Sequence, residues 1–270
     1  MNTIAYLGPE HTNTHLAALR RFGRRARYVH APTIDDVFRL VEREQADYGV
    51  APIENSLEGA VTHTLDRFID FRRSPVTIHG EIEQPIAHWL ITAGRSMSVR
   101  VVYSHPQALA QCRAWLDAHL PRAKRVETSS TADAVKRLRA GGNDGAAIAR
   151  RELAKTPLRA TPIPLSSDNK TRFLVLGLAH PQPGRNNKTS ILFALKDRPG
   201  ALYDALTPFK REQINLTKIE SRPSKKKAWE YYFFIDITGH TSELRVERAL
   251  KSLEKSTLLL KVLGSYPVTR

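Results

Sequence analysis

The chain has 270 residues, 41% of them apolar and 26% charged, which excludes disorder and allows a sizeable core without disulfides or metals, most simply in two domains. The formal charge of +15 is spread along the chain; its clusters, Arg20, Arg21, Arg24, Arg25, Arg27 and then Lys225, Lys226, Lys227, lack the aromatic platform or helix-turn-helix pattern of base recognition, which sets nucleic acid aside and leaves steering of small anions. A single cysteine, Cys112, excludes an internal disulfide and points to a reducing cytoplasm, the MNTIAYLGPE start shows no signal peptide, and no apolar run approaches the ~18–20 residues of a membrane span.

Residues 3–7 read as a short buried strand ending at the turn signal Gly8-Pro9, with a helix over 14–22 after it. Thr33 is placed to cap a second helix, whose first turn holds Asp35 and Asp36 and whose apolar stripe is Ile34, Val37, Phe38, Leu40 and Val41. Strand-like segments follow at 47–53, 79–92 and 99–103, then a helix over 106–120, a short strand at 125–127, a helix over 131–140, a turn at 141–145 and a strand at 146–149. Alternation of this kind predicts an α/β protein with mainly parallel sheets covered by helices. Cys112 falls on the apolar face of the 106–120 helix and reads as a small buried hydrophobe.

Residues 179–188, rich in Pro, Gly and Asn, read as a linker. After it the order is strand 189–195, helix 201–212, strand 214–220, strand 231–237, helix 243–254 and strand 258–265: βαββαβ, the ferredoxin-like plan. An open sheet edge in such a module invites pairing with a second copy.

Four segments put reactive residues at the ends of strands: residues 8–15, 52–59, 104–111 and 169–173. Each has a plain structural use, since Asn55 or Ser56 suits a helix cap and Ser104 precedes Pro106 at a helix start. Together they suggest one polar, hydroxyl-rich crevice outside the carboxyl ends of the strands, with Arg172 suited to a carboxylate. Chemistry alone reaches a small polar anion. His11 and His15 lack a third metal ligand, and no nucleotide-binding or acyl-enzyme motif is present, so no metal and no cofactor are expected.

The same segments, in this order, resemble prephenate dehydratases. The resemblance rests on residues 51–61 (APIENSLEGAV) with Thr64-Leu65-Asp66, on residues 104–112 (SHPQALAQC) and on residues 169–175 (NKTRFLV). In the second part, Gly200-Ala201-Leu202 and Glu220-Ser221-Arg222-Pro223 look like the two phenylalanine-binding motifs of an attached ACT domain. The implied architecture is a two-lobed catalytic domain similar to type II periplasmic binding proteins over 1–180, with one lobe at about 1–77 plus 160–180 and the other at about 78–159, a linker at 181–188 and a ferredoxin-like ACT domain over 189–270. The active site is expected in the cleft between the lobes. The first loop departs from the family's Gly-Pro-x-Gly-Thr-Phe-Ser: here His11 replaces a glycine, Asn13 the phenylalanine and Thr14 the serine.

The resemblance implies decarboxylating dehydration of prephenate to phenylpyruvate in phenylalanine biosynthesis, with arogenate dehydration, or an amino-acid sensor of the same fold without catalysis, as the alternatives. Thr171, Arg172, Glu54, Asn55, Ser104 and Gln111 are the expected catalytic set, and Thr12, Ser56, His88, His105, Gln107 and Phe173 the expected substrate contacts. Thr171 would face the departing ring hydroxyl, Arg172 would hold the pyruvyl carboxylate, and Asn55, Ser104 and Gln111 would fix the ring, while Glu54 orients its neighbours. Phenylalanine is the expected effector, held by Gly200, Ala201, Leu202, Glu220, Ser221, Arg222 and Pro223 at a dimer interface of a homodimer or homotetramer.

Overall fold

The computed structural model describes residues 1–70, 74–93, 99–141, 144–164, 169–224 and 231–268; the Lys225, Lys226, Lys227 cluster, and Gly142 and Asn143 of the expected turn, lie outside the described residues. In chain order the first stretch forms β1 (Thr3–Leu7), α1 (Asn13–Phe22), β2 (Arg27–Ala31), α2 (Ile34–Glu42), β3 (Tyr48–Asn55), the two-residue β4 (Gly59–Ala60), α3 (Thr62–Asp70) and β5 (Thr77–Pro85). The middle forms β6 (His88–Thr92), β7 (Val101–Ser104), α4 (Pro106–Gln111), α5 (Arg113–His119), β8 (Lys124–Glu127), α6 (Thr131–Ala140), β9 (Gly145–Ala149) and β10 (Arg159–Ile163). The last part forms β11 (Lys170–Gly177), β12 (Asn187–Ala194), α7 (Ala201–Arg211), β13 (Leu216–Pro223), β14 (Tyr231–Thr238), α8 (Leu244–Glu254) and β15 (Leu259–Pro267).

The chain divides into two compact units, Met1–Gln84 with Thr171–Arg270, and Pro85–Lys170. The crossings fall later than the expected 77/78 and 159/160, because β5 continues to Pro85 and the chain does not rejoin the first sheet until β11.

The first unit holds two sheets. One runs β2-β1-β3-β11-β5, with β4 paired to β3. Its β1, β2 and β3 are parallel, but β11 is antiparallel to β3, so the sheet is mixed where mainly parallel pairing was expected. The reason lies in connectivity: β11 is reached by a long return of the chain, not by a right-handed βαβ crossover. Thr33 caps α2 as the sequence suggests, accepting from the Asp36 backbone N–H at 3.1 Å, and Ile34, Val37, Phe38 and Val41 are buried. The other sheet is antiparallel, β13-β14-β12-β15, with α7 and α8 on one face packing on Ile191, Phe193, Ile235 and Ile237. Its opposite face shares a core with the first sheet: Leu192, Phe234 and Leu263 join Phe38, Leu65, Phe68, Ile78, Leu174 and Leu176. The sheets come close at Gly264, where an added Cβ would lie 2.2 Å from the Ile78 carbonyl oxygen.

The second unit is one mixed sheet, β10-β6-β9-β7-β8, with β7 parallel to β8 and β9 and β6 antiparallel to β9 and β10. The expected single helix over 106–120 is two, α4 and α5, meeting at Cys112, whose ψ of 3° takes it out of the helical basin. Cys112 is buried as expected, and burial pushes its thiol up to about 12, which removes it from nucleophilic chemistry.

Candidate active site

Two neighbouring strand ends in the first unit carry its reactive side chains. On β3 and β11, Thr171 pairs with Asn55 and Arg172 with Glu54, and a bulge follows between Arg172 and Phe173. Successive strand residues point to opposite faces, so Asn55 and Thr171 share one face while Glu54 and Arg172 share the other.

Asn55 has its two ends assigned by the turn into β4. Its Oδ1 accepts from the backbone N–H of Leu57 at 3.0 Å and of Glu58 at 3.3 Å. Gly59 completes the turn at φ +82°, a left-handed conformation that glycine takes without steric cost. With Oδ1 so held, Nδ2 is aimed at Thr171 and donates to its Oγ1 at 2.9 Å. Thr171 therefore accepts from Asn55 and keeps its own proton for another acceptor, the arrangement a hydroxyl needs in order to donate to a leaving oxygen.

The other face is closed. Arg172 is 8% exposed, and its Nη1 lies 2.8 Å from both Glu81 on β5 and Asp236 on β14. Its Nε lies 2.8 Å from Glu54, an ion pair whose N–H is not aligned on that oxygen. Burial alone would lower the guanidinium's pKa, and the three carboxylates reverse this and raise it, so Arg172 is a fixed cation. This corrects the expectation that Arg172 holds a substrate carboxylate: three carboxylates of the chain already occupy it. Glu54 also pairs with Lys218 of β13; burial raises its pKa, and Arg172 and Lys218 together more than offset that and hold it low. Glu54 is thus held as an anion by Arg172 and Lys218 and is not a proton carrier.

Within the second unit, Gln111 at the end of α4 accepts on Oε1 from His88 Nε2 at 2.6 Å and from Asn169 Nδ2 at 3.2 Å. Burial holds the His88 pKa down, the Gln111 bond opposes this, and Arg150 adds to it, so His88 is a neutral donor. Gln111 and His88, both among the expected site residues, are thus in direct contact. Ser104 is not available to a ligand: it is 0% exposed and donates to the Ile148 carbonyl at 2.7 Å, a bond that ties β7 to β9. His105 caps α4, accepting on Nδ1 from the Gln107 backbone N–H, and Gln107 is exposed.

The remaining expected contacts divide the same way. Thr12 caps α1, accepting from the His15 N–H and donating to the Leu7 carbonyl. Ser56 is exposed in the turn after Asn55. Phe173, 1% exposed, is core, packed with Ile4, Tyr6, Ala17 and Val50, and corrects its assignment to substrate.

Of the expected effector residues, Gly200 sits at φ +78° at the start of α7, with Ala201 and Leu202 packed on the helix-side core. Strand β13 splits the second motif. Ser221 faces the helix side with Phe233, while Glu220 and Arg222 face the first sheet with Phe234 and Tyr232. Arg222 is engaged there by Asp66 of α3 through two bonds of 3.0 and 3.1 Å, which corrects its placement against the effector. Sequence reasoning missed Glu81, Lys188, Lys218 and Asp236. A signal was present for Asp236: it is the one acid in the apolar strand YYFFIDIT, and a charge there requires a partner.

Among the described residues no cluster of potential metal ligands occurs, and no helix is long and apolar enough to cross a membrane. A family model described as prephenate dehydratase matches residues 4–181, and one described as ACT domain matches residues 189–255. The bifunctional chorismate mutase/prephenate dehydratase of Aquifex aeolicus is 52% identical over 268 residues, covering 98% of this chain and 73% of that protein. The prephenate dehydratase of Methanocaldococcus jannaschii is 42% identical over 246 residues, 87% of this chain and 86% of that one. The solved structure of prephenate dehydratase from Arthrobacter aurescens in complex with L-Phe superposes with a TM-score of 0.87 at 33% identity, over 98% of this chain and 89% of that chain.

Proposed function

The chain belongs to the prephenate dehydratase family, and from that premise we propose that its Asn55–Thr171 pair is where the ring hydroxyl of prephenate departs. The reaction breaks two bonds. The bond from the ring to its carboxylate gives CO2, and its electron pair enters the ring as the C–O bond para to it breaks. Aromatisation supplies the driving force, so the chain needs no electron sink. One proton is taken up to release water in place of hydroxide, and the barrier lies in that poor leaving group.

Thr171 is a weak acid, and its part is to donate a hydrogen bond from Oγ–H to the departing oxygen. Asn55 Nδ2 stabilises the charge that gathers on Oγ1 as it does so. The observation that carries this reading is the 2.9 Å bond from Asn55 to Thr171, because it leaves the threonine proton directed away from Asn55. In the second unit, the His88–Gln111–Asn169 string fixes the Gln111 amide plane. Thr171→Ala should lower kcat by about 10²–10³-fold with KM changed little, as for loss of one preorganised donor. Phenylpyruvate absorbance measured from prephenate, and in parallel from arogenate, reads this; an unchanged kcat removes Thr171 from the chemistry, and no product above the spontaneous rate favours the non-catalytic sensor.

Phenylalanine regulation is assigned to the ACT domain, on the helix side of its sheet, where Gly200 starts α7 and Ser221 lies on β13. The edge position of β13 and the 46% exposure of Ile219 support pairing with a second copy along this strand, with light scattering of the purified chain as the test. A cytoplasmic place is supported by the single buried thiol of Cys112.

A further inference from the structure

Strand β13 has two working faces. Thr217, Ile219, Ser221 and Pro223 are exposed on one, and Lys218, Glu220 and Arg222 are half-buried on the other. The inner face grips the catalytic part of the unit at two points. Lys218 pairs with Glu54, the chain neighbour of Asn55, and Arg222 makes its two bonds to Asp66 on α3. The helix carrying Asp66 is itself tied to β3, since Thr64 donates to the Pro52 carbonyl.

A second set of contacts runs from the same sheet to Arg172, the chain neighbour of Thr171. Asp236 holds Arg172 with one oxygen and accepts from Ser190 with the other at 2.6 Å, and Lys188 meets Glu81 at 2.7 Å. The three cations Arg172, Lys188 and Lys218 meet the three anions Glu54, Glu81 and Asp236, so the cluster is balanced and any one displacement unbalances it. Both ends of the relay have irregular backbone. One bulge lies between Leu216 and Lys218 in β13, and another between Arg172 and Phe173 in β11. Bulges beside a site re-aim side chains.

We propose that Lys218 and Arg222 are positioning residues through which β13 transmits the state of its outer, effector-facing side to the Asn55–Thr171 pair. The inference rests on the reading given under Proposed function. Asn55 and Thr171 stand back to back with Glu54 and Arg172 on the same two strand ends, so a shift of the inner face of β13 moves the pair without any contact to it. The ligand that biases β13 is a single aromatic amino acid on the side bearing Ser221.

The test uses the full chain. Lys218→Met removes one of the two cations of β13, Asp66→Asn takes the charge and one of the two bonds from the other grip on the catalytic side, remote from the effector, and Lys218→Arg restores the cation at 218. Phenylalanine affinity is read by calorimetry, and kcat and KM for prephenate with and without saturating phenylalanine. Coupling of this kind is about 5–150-fold. We expect phenylalanine to bind Lys218→Met and Asp66→Asn within about twofold of the wild-type Kd while the change it causes in kcat/KM shrinks to under about twofold, and Lys218→Arg to recover the wild-type change. A wild-type response in both Lys218→Met and Asp66→Asn overturns the proposal, as does loss of phenylalanine binding in Asp66→Asn. A wild-type chain that turns over prephenate without responding to phenylalanine overturns the effector assignment first, and the coupling with it.

Discussion

At the scale of single residues, direction matters more than proximity. Asn55 has its carbonyl end held by two backbone N–H groups, so only its amide end can meet Thr171. Asn55→Asp keeps the turn, because a carboxylate accepts from the same N–H groups, but it also accepts from Thr171 and draws the threonine proton off the substrate. We expect a loss in kcat of about 10²-fold with the fold intact by circular dichroism. His11 illustrates a residue against its own backbone: its φ is +66°, where the family's first loop has glycine. Relief of the left-handed penalty of about 1–2 kcal/mol, less the chain entropy of glycine of about 0.5–1 kcal/mol, gives His11→Gly a stabilisation of about 0.5–1 kcal/mol in urea melts. The His11 backbone N–H donates to His15 Nδ1, a bond that requires a neutral imidazole. Burial lowers the pKa of His15, His79 and His88. The unfolded chain takes up protons near pH 6.5 and the folded one only lower, so the stability these groups carry is complete above about pH 6.5 and is lost as pH falls toward their folded values. Melting temperature should drop between pH 7.5 and 5.5, and a flat profile would contradict these assignments.

At the scale of elements, much was legible because strand and helix periods are local. The Thr33 cap, the buried stripe of α2 and the βαββαβ order of the last part follow from spacing alone. What was not legible is set by distant partners. The antiparallel return of β11, the break at Cys112 between α4 and α5 and the burial of Ser104 under Ile148 depend on what lies across the sheet. The same limit explains the site. The segments holding Asn55 and Thr171 were read as strand ends, but their pairing was not seen, and Arg172 was read as a substrate anchor because nothing local shows that Glu81 and Asp236 converge on it. Gly264 on β15 is a similar case, a glycine in a strand whose reason is the backbone of β5 opposite. Gly264→Ala places a methyl group against the Ile78 carbonyl, and we expect a loss of about 1–3 kcal/mol or more in chemical unfolding, with the second unit's own packing unaffected.

At the scale of the whole first unit, an apolar core and an ionic cluster lie side by side between the catalytic sheet and the ACT sheet. The apolar part supplies adhesion, since burial of Leu192, Phe234, Leu174 and Leu263 is non-directional. The ionic part contributes orientation: a buried charge is tolerated only where its partners stand, and removing one partner typically costs about 3–5 kcal/mol. Asp236→Leu alone leaves the cluster with one positive charge in excess and takes the carboxylate acceptor from Ser190, and should fall in that range. Arg172→Met alone leaves Glu54, Glu81 and Asp236 facing one another and should cost at least as much. The double variant removes one charge of each sign, so it should cost less than the two single losses added together, by about 0.5–3 kcal/mol of coupling. If the cluster orients the ACT sheet, the double variant regains stability without regaining the phenylalanine response. Urea unfolding beside inhibition assays separates the two, and a double variant that recovers both would make the charges dispensable to regulation.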